Sequence, residues 1–526
     1  MDRRKFISGI LPTLLAPSVV NGLSVRPVSP SPFLNELLGF ATDTDHVLVL
    51  IQMSGGNDGL NMVIPRSSYS AYYNARTNIA IPESRILALN GNAATGLHPS
   101  MTGLQSLFND GKLSIVQAVG YPNPNFSHFR ATDIWMSASD SNVQVNSGWG
   151  GRYLNEEYPN FPVGYPNTTM PDPLAIQIGA VTSLALQGPG FNMGMSITNP
   201  TTFYNLVNGI QDPAPAGPAG KELTFIRTVA QQTRQYATVI KNAAGKVVVQ
   251  NPYPTGNALG DQLKIVARLI KGGLKTRVYM CSIGGFDTHS VQVVANDTTT
   301  GTHANLMKQV SDAVKAFMDD LKFLSIEDRV MGMTFSEFGR RIKSNSSVGT
   351  DHGAAAPLFV FGSKVTPGVL GQNPTIPTNA TVNDNVPYQY DFRSVYGSLL
   401  QNWFCAGTST LQAVLFKNFQ SLPLVQSAAC ATGLDDLNRD AGETLILNYP
   451  NPFSSSTRIT FKTKGGHVLV QVLDNQGRLI ANLADREYFQ GKYNLDFDSQ
   501  GIPPGVYYLR FQNGPLQQVR SMLKVR

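Results

Sequence analysis

Cysteine is scarce, with three in 526 residues, which excludes a disulfide framework. Charge is scarce as well: Asp, Glu, Lys and Arg make up only 14% of the chain, a balance that suits an exported protein better than a cytosolic one. No segment reaches the ~18–20 apolar residues needed to span a bilayer, so no transmembrane anchor is expected in the mature chain. No GxGxxG follows a strand-like run, so no nucleotide cofactor is expected, and there is no GxSxG elbow for a serine-esterase triad. Gly and Pro, 48 and 33 residues, stay short of the roughly 25–30% that marks low-complexity chains.

What is present is a chain 42% hydrophobic and long enough for two to four domains at ~150 residues each. Its net charge of +6 lies at the ends. Residues 448–526 hold ten Lys/Arg and five Asp/Glu, and Asp2-Arg3-Arg4-Lys5 adds +2, leaving the middle near −1. A nucleic-acid binder needs a basic face on its main domain, so no nucleic-acid partner is expected.

Arg3-Arg4-Lys5-Phe6-Ile7 precedes an apolar stretch from Ile7 to Val20 that is broken by Pro12 and Pro17. It is too short for an anchor and has the form of an export signal over residues 1–25. It resembles a twin-arginine signal, with an ordinary Sec signal as the alternative, so either translocon is an expected partner. At the other end, from 448 to 526, alternation takes over in Arg458–Phe461, Val468–Leu473, Tyr493–Phe497 and Val506–Phe511, separated by Gly465-Gly466, Asn475-Gln476-Gly477 and Pro503-Pro504-Gly505. Short strands so spaced predict a small β-sandwich.

The middle, residues 26–429, alternates apolar runs with helical periodicity. His46–Gln52, Leu113–Val119, Thr276–Ile283, Val330–Phe335 and Leu358–Phe361 have the unbroken apolar character of parallel strands buried on both faces. The segment from Ala304 to Leu324 has a helical stripe of Leu306, Val310, Val314, Phe317, Met318 and Leu321. The expected fold is α/β, a doubly wound and mostly parallel sheet, with the all-β sandwich after a linker at 430–447. Asp435, Asp436, Asn438, Asp440 and Glu443 in that linker lack the glycine of a calcium loop, since Ala441 stands there, and are taken as a solvated acidic stretch. A Cys405–Cys430 disulfide is expected in an oxidising compartment, with Cys281 reduced and buried.

In doubly wound sheets functional residues gather at the carboxyl ends of strands. Those ends carry Ser54-Gly55-Gly56-Asn57-Asp58, Gly284-Gly285-Phe286-Asp287-Thr288-His289 and Ser336-Glu337-Phe338-Gly339-Arg340, with Asp351-His352 close behind. Three of only seven His (His128, His289, His352) sit in such polar motifs, and imidazole with carboxylate is the donor set of a divalent metal: zinc, manganese, magnesium or calcium. Ser127 precedes His128, but adjacent residues rarely form a nucleophile–base pair, so a metal is the better activator of its hydroxyl.

Two resemblances follow from these motifs. NYPNPF, DNQGR, GIPPGVYYLR and the basic end Lys524-Val525-Arg526 resemble the type A C-terminal sorting domain of the type IX secretion system, which implies that machinery as a partner of residues 448–526 and passage through the periplasm to the cell surface or beyond. GGNDGLN, PNFSHFRATDIW, SGWGGRYLN, GGFDTHSVQ, TFSEFGRR, GTDHG and YDFRSVYGSLLQNWF, from ~40 to ~425, are similar to the domain-of-unknown-function 1501 family, which looks like a branch of the alkaline phosphatase and sulfatase superfamily. That resemblance implies an alkaline phosphatase-like α/β/α sandwich and a two-metal phosphate or sulfate ester hydrolase. By position Asp58 resembles the first-strand ligand and Ser127 the nucleophile. Asp287 and His289 resemble ligands of one metal, and His352 the late His ligand. Glu337 stands where an Asp ligand of the second metal would be; the expected neighbouring His is replaced by Phe338, and Asp351 is the candidate to compensate. Arg130 or Arg340 would neutralise the anionic ester, and a second metal or His128 would stabilise the leaving oxygen. The other reading is a non-catalytic surface protein that keeps the fold.

Overall fold

The structure, a computed structural model, describes residues 44–200, 235–426 and most of 446–525, with the backbone of two short paired strands, Ser18–Val20 and Leu23–Val25. The rest of the expected export signal, the acidic stretch at 435–443 and Cys430 lie outside the described residues. The chain divides into two compact units, Thr44–Cys430 and a second containing Ala431–Arg526.

The main sheet of the larger unit has nine strands: β1 (Val47–Met53), β2 (Leu113–Gly120), β3 (Ala175–Ile178), β4 (Gly194–Ile197), β5 (Val278–Ile283), β6 (Val330–Phe335), β7 (Ala356–Gly362), β8 (Gly368–Leu370) and β9 (Tyr390–Asp391). Their order is β8-β2-β7-β6-β1-β5-β3-β4, with β9 also pairing with β2. The central neighbours are parallel, β1 matching Leu48 to Val278 on one side and to Met331 on the other. Only β7 runs the other way, antiparallel to both β6 and β2. Leu358–Phe361 therefore departs from the parallel expectation, because a strand covered on both faces is apolar throughout whichever way it runs.

Burial on both faces is explicit in β1. Val47, Val49, Ile51 and Met53 enter one core, with the helices Ala258–Lys271 and Thr302–Phe323. Leu48 and Leu50 enter the other, with His128–Ser137, Trp149–Glu157 and Phe392–Asn402. The apolar stripe expected on the long helix is buried from Leu306 to Leu321.

The C-terminal unit forms two antiparallel sheets. Ile446–Tyr449, Ser456–Thr463 and Gly491–Asp498 make one; Leu479–Tyr488, Gly466–Leu473, Gly505–Asn513 and Leu516–Lys524 make the other. Alternating residues such as Val468, Val470, Val472, Leu509 and Phe511 supply its core. No helix among the described residues is long and apolar enough to cross a membrane.

Candidate metal centre

The carboxyl ends of β1, β5 and β6 lie side by side, so the segments that follow them meet. Gly55 and Gly56 make the first turn with φ of 125° and 72°, values that suit glycine. A Cβ on Gly55 would lie 2.4 Å from the backbone nitrogen of Asp287, so the close approach of the two loops requires its absence. His352 reaches the same edge because β7 is antiparallel: its start, not its end, lies beside the carboxyl ends of its neighbours. His128 arrives from β2 as the first residue of the helix His128–Ser137.

Asp287 is the hub. Its Oδ1 accepts a hydrogen bond from Arg340 Nη2 at 2.7 Å and lies 3.3 Å from Nε2 of both His289 and His352. Its Oδ2 lies 3.4 Å from Nε2 of His128. One ligand atom each from His128, Asp287 and His352 falls within 4.8 Å of the others. Nε2 of His289 and His352 are 2.8 Å apart. The second ring nitrogens face outward: Nδ1 of His128 lies 2.8 Å from Glu337 Oε1, Nδ1 of His289 lies 3.2 Å from Asp351 Oδ1, and Nδ1 of His352 lies 2.7 Å from the Phe126 carbonyl.

Burial pushes the Asp287 carboxyl up, but Arg340, His352 and His289 outweigh it and hold it below its ordinary value. Asp351 is also lowered, hydrogen bonds from Asn345 and His289 overcoming its burial. Burial lowers His352, with the Arg340 charge acting in the same sense, so its ring favours the neutral, ligating form.

Several expected site residues do something else here. Asp58 is 1% exposed and its carboxylate is engaged by other partners: Arg76 Nη1 donates to both its oxygens at 2.8 Å and Gln292 Nε2 donates to Oδ2 at 2.6 Å. Arg130 donates to the carbonyls of Asp140, Ser141 and Val143, tying down its own loop. Arg340 is fully buried and donates to the carbonyls of Gly55, Gly56, Phe286 and Thr350 besides Asp287, so it clamps the loops together. Ser127 is exposed, and its hydroxyl makes no capping bond on the helix it precedes. Phe338 is buried, its ring centroid 4.9 Å from that of His128 and 4.5 Å from that of His352, filling space beside the imidazoles.

Two further histidines lie buried behind the turn and carried no sequence signal. His303 Nε2 is 3.0 Å from Asn57 Oδ1, and its ring meets His98 edge-on at 6.0 Å. Burial lowers them to about 4 and about 3, so both are neutral at ordinary pH. Cys405 is disulfide-bonded and Cys281 is free and buried.

Residues 214–392 match the family described as protein of unknown function (DUF1501), and residues 448–524 match the secretion system C-terminal sorting domain. The first span contains the Asp287, Glu337 and Asp351-His352 segments but not Asp58 or His128. No curated protein matches the chain. Among solved structures the chain is similar to an alkaline phosphatase superfamily protein from Vibrio parahaemolyticus (12% identity, 95% of this chain and 92% of that one, TM-score 0.31). It is also similar to a sulfatase from Pseudoalteromonas sp. (12% identity, 89% and 88%, TM-score 0.32). Overlap at this level is too loose to transfer a residue or an activity.

Proposed function

Because the chain carries a DUF1501 domain and a secretion system C-terminal sorting domain, we propose that it is delivered to the cell surface or beyond and there holds one divalent metal that serves ester hydrolysis. The observation that carries this reading is the convergence of His128, His289 and His352 on Asp287. The donor set fits a metal: Nε2 of His128 is buried without a hydrogen-bond partner, and two imidazole nitrogens face each other at 2.8 Å. Mixed nitrogen and carboxylate donors suit zinc and its transition-metal neighbours better than calcium or magnesium.

When bound, such an ion supplies Lewis acidity toward an ester oxygen or an attacking hydroxyl. The chain's own residues orient it. Arg340 fixes Asp287 Oδ1 and leaves Oδ2 turned toward His128. Ser127, exposed and adjacent to His128, is the hydroxyl available as nucleophile; water is the alternative. With Arg130 and Arg340 engaged by backbone carbonyls, neutralising an anionic phosphate or sulfate ester falls to the metal. The export signal grammar at Arg3-Arg4-Lys5 and the sorting domain support a two-step route, inner membrane first and then the type IX machinery.

A non-catalytic surface protein with one retained metal is the second reading. Two observations favour it: Asp58 is committed to Arg76, and Phe338 occupies the position beside the imidazoles where a second metal's His is expected. Elemental analysis of the mature protein, with turnover of phosphate and sulfate ester panels by wild type, Ser127→Ala and His352→Ala, separates them. Bound metal with turnover lost in His352→Ala supports the hydrolase. Bound metal without turnover supports the second reading, and absence of metal after zinc or manganese loading overturns both.

A further inference from the structure

Each imidazole of the centre is turned by a partner behind it. The Phe126 carbonyl can only accept, so Nδ1 of His352, at 2.7 Å, carries hydrogen, and in the neutral ring the lone pair is on Nε2. Glu337 stands in the same relation to His128. It is 1% exposed at its side chain, its Oε1 also accepts from the backbone nitrogen of Gly55 at 2.9 Å, and its Oε2 lies 3.2 Å from Ser336 Oγ. Asp351 stands so to His289, its Oδ1 also accepting from Asn345 Nδ2 at 3.0 Å. Both carboxylates meet the ring nitrogen opposite the one that faces Asp287.

We propose that Glu337 and Asp351 are positioning residues and not metal ligands: each fixes its imidazole in the Nδ1–H tautomer, so the centre presents three Nε2 atoms and the Asp287 carboxylate to one cation. This deepens the one-metal reading and rests on it. A metal-bound histidine almost always donates its other N–H to a carboxylate, carbonyl or water, which fixes the ring and raises its basicity. Here all three have such an acceptor, two of them carboxylates and one a carbonyl. The sequence position of Glu337, at a strand end, is shared by ligands and by the groups behind them, so spacing alone does not separate the two roles.

The test uses the full chain with two probes. Nitrogen NMR of the imidazoles in the metal-free protein, at a pH where the rings are neutral, reads the tautomer of His128. Titration with cobalt(II) reads the ligand set from its visible absorption. Expected are Nδ1–H at His128 in wild type, loss of that preference in Glu337→Ala, and an unchanged cobalt band in Glu337→Gln and Asp351→Asn. Affinity in those two variants should be lower by roughly 10–100-fold, the usual effect of an outer-shell change. His128→Ala should alter the band itself. Nε2–H at His128, or a changed band in Glu337→Gln and Asp351→Asn, overturns the positioning role. Nδ1–H at His128 with no cobalt uptake supports the positioning role and overturns the one-metal reading, so the two failures are distinct. Asp351 is half-exposed, so its variant keeps the test open should Glu337→Gln not fold.

Discussion

Nε2 of His289 and Nε2 of His352 lie 2.8 Å apart, both 3.3 Å from the same oxygen of Asp287. With the lone pair of His352 on Nε2, the contact without metal is a hydrogen bond donated by Nε2 of His289, and a cation held by both rings takes the place of that proton. Zinc is therefore expected to raise the melting temperature, by an amount equivalent to about 2.7 kcal/mol at a hundredfold excess over Kd. A calorimetric scan with and without chelator measures it. His352→Ala should abolish the shift, and an equal shift in that variant contradicts the site.

The buried pair of Arg76 and Asp58 behaves as structure. In Arg76→Met an uncompensated buried carboxylate remains, and a loss of about 3–5 kcal/mol at neutral pH is expected in urea unfolding. Burial raises the Asp58 carboxyl, but Arg76, His303 and Gln292 bring it below its ordinary 3.8. Its contribution is thus full above 3.8 and lost as pH falls through the lower folded value. Without Arg76 only His303 and Gln292 oppose burial and the carboxyl lies higher than in wild type, so the gap between wild type and variant should narrow as the solution is acidified below pH 4. A constant gap argues against this account.

Gly55→Ala tests the loop contact. Its Cβ would meet Asp287 N at 2.4 Å and Phe286 C at 2.8 Å, backbone atoms that cannot rotate away, at a φ of +125°. Overpacking of this kind costs about 1–3 kcal/mol. Because the neighbour is Asp287, metal affinity should fall with stability. Gly91→Ala is the control, with φ +74° but nothing within 4 Å of the added atom, so it should leave affinity unchanged.

Thiol counting gives a further check. Cys281 is buried and burial pushes its thiol up, while Cys405 is disulfide-bonded. Ellman titration should find no reactive thiol in the native protein and one per chain after unfolding without reductant. Three thiols in the unfolded chain contradict the bridge.

How much of this was legible depends on the signal each element leaves. Strands β1, β2, β5 and β6 announce themselves as apolar runs of six residues or more, and the residues just past them are where Asp287, His289 and Glu337 stand. The strands Ala175–Ile178 and Gly194–Ile197, four residues each, are too short to stand out. In the C-terminal unit Leu479–Tyr488 leaves no alternating signal because its exposure is irregular along an edge. The commitment of Asp58 to Arg76 leaves no mark in the sequence, because Arg76 lies 18 residues away in a segment with no periodic relation to it. The placement of Arg130 follows from helix geometry: two residues past His128 on the same helix, it leaves the opposite side of the axis.

Removal of residues 448–526 should leave the metal centre intact while blocking delivery. Strands β1 to β9, both of their cores and every residue proposed to hold the metal lie within Thr44–Cys430, whereas the C-terminal sandwich has a separate core around Val470 and Phe511. A unit with its own core folds without its neighbour, so the truncated chain should bind zinc as wild type does and keep a cooperative melt. The residues removed match a sorting domain and carry five of the six net positive charges. Fractionation of cells should then find the truncated protein in the periplasm and the full chain outside it. Normal surface delivery of the truncated form refutes the sorting role, and loss of zinc binding refutes the independence of the larger unit.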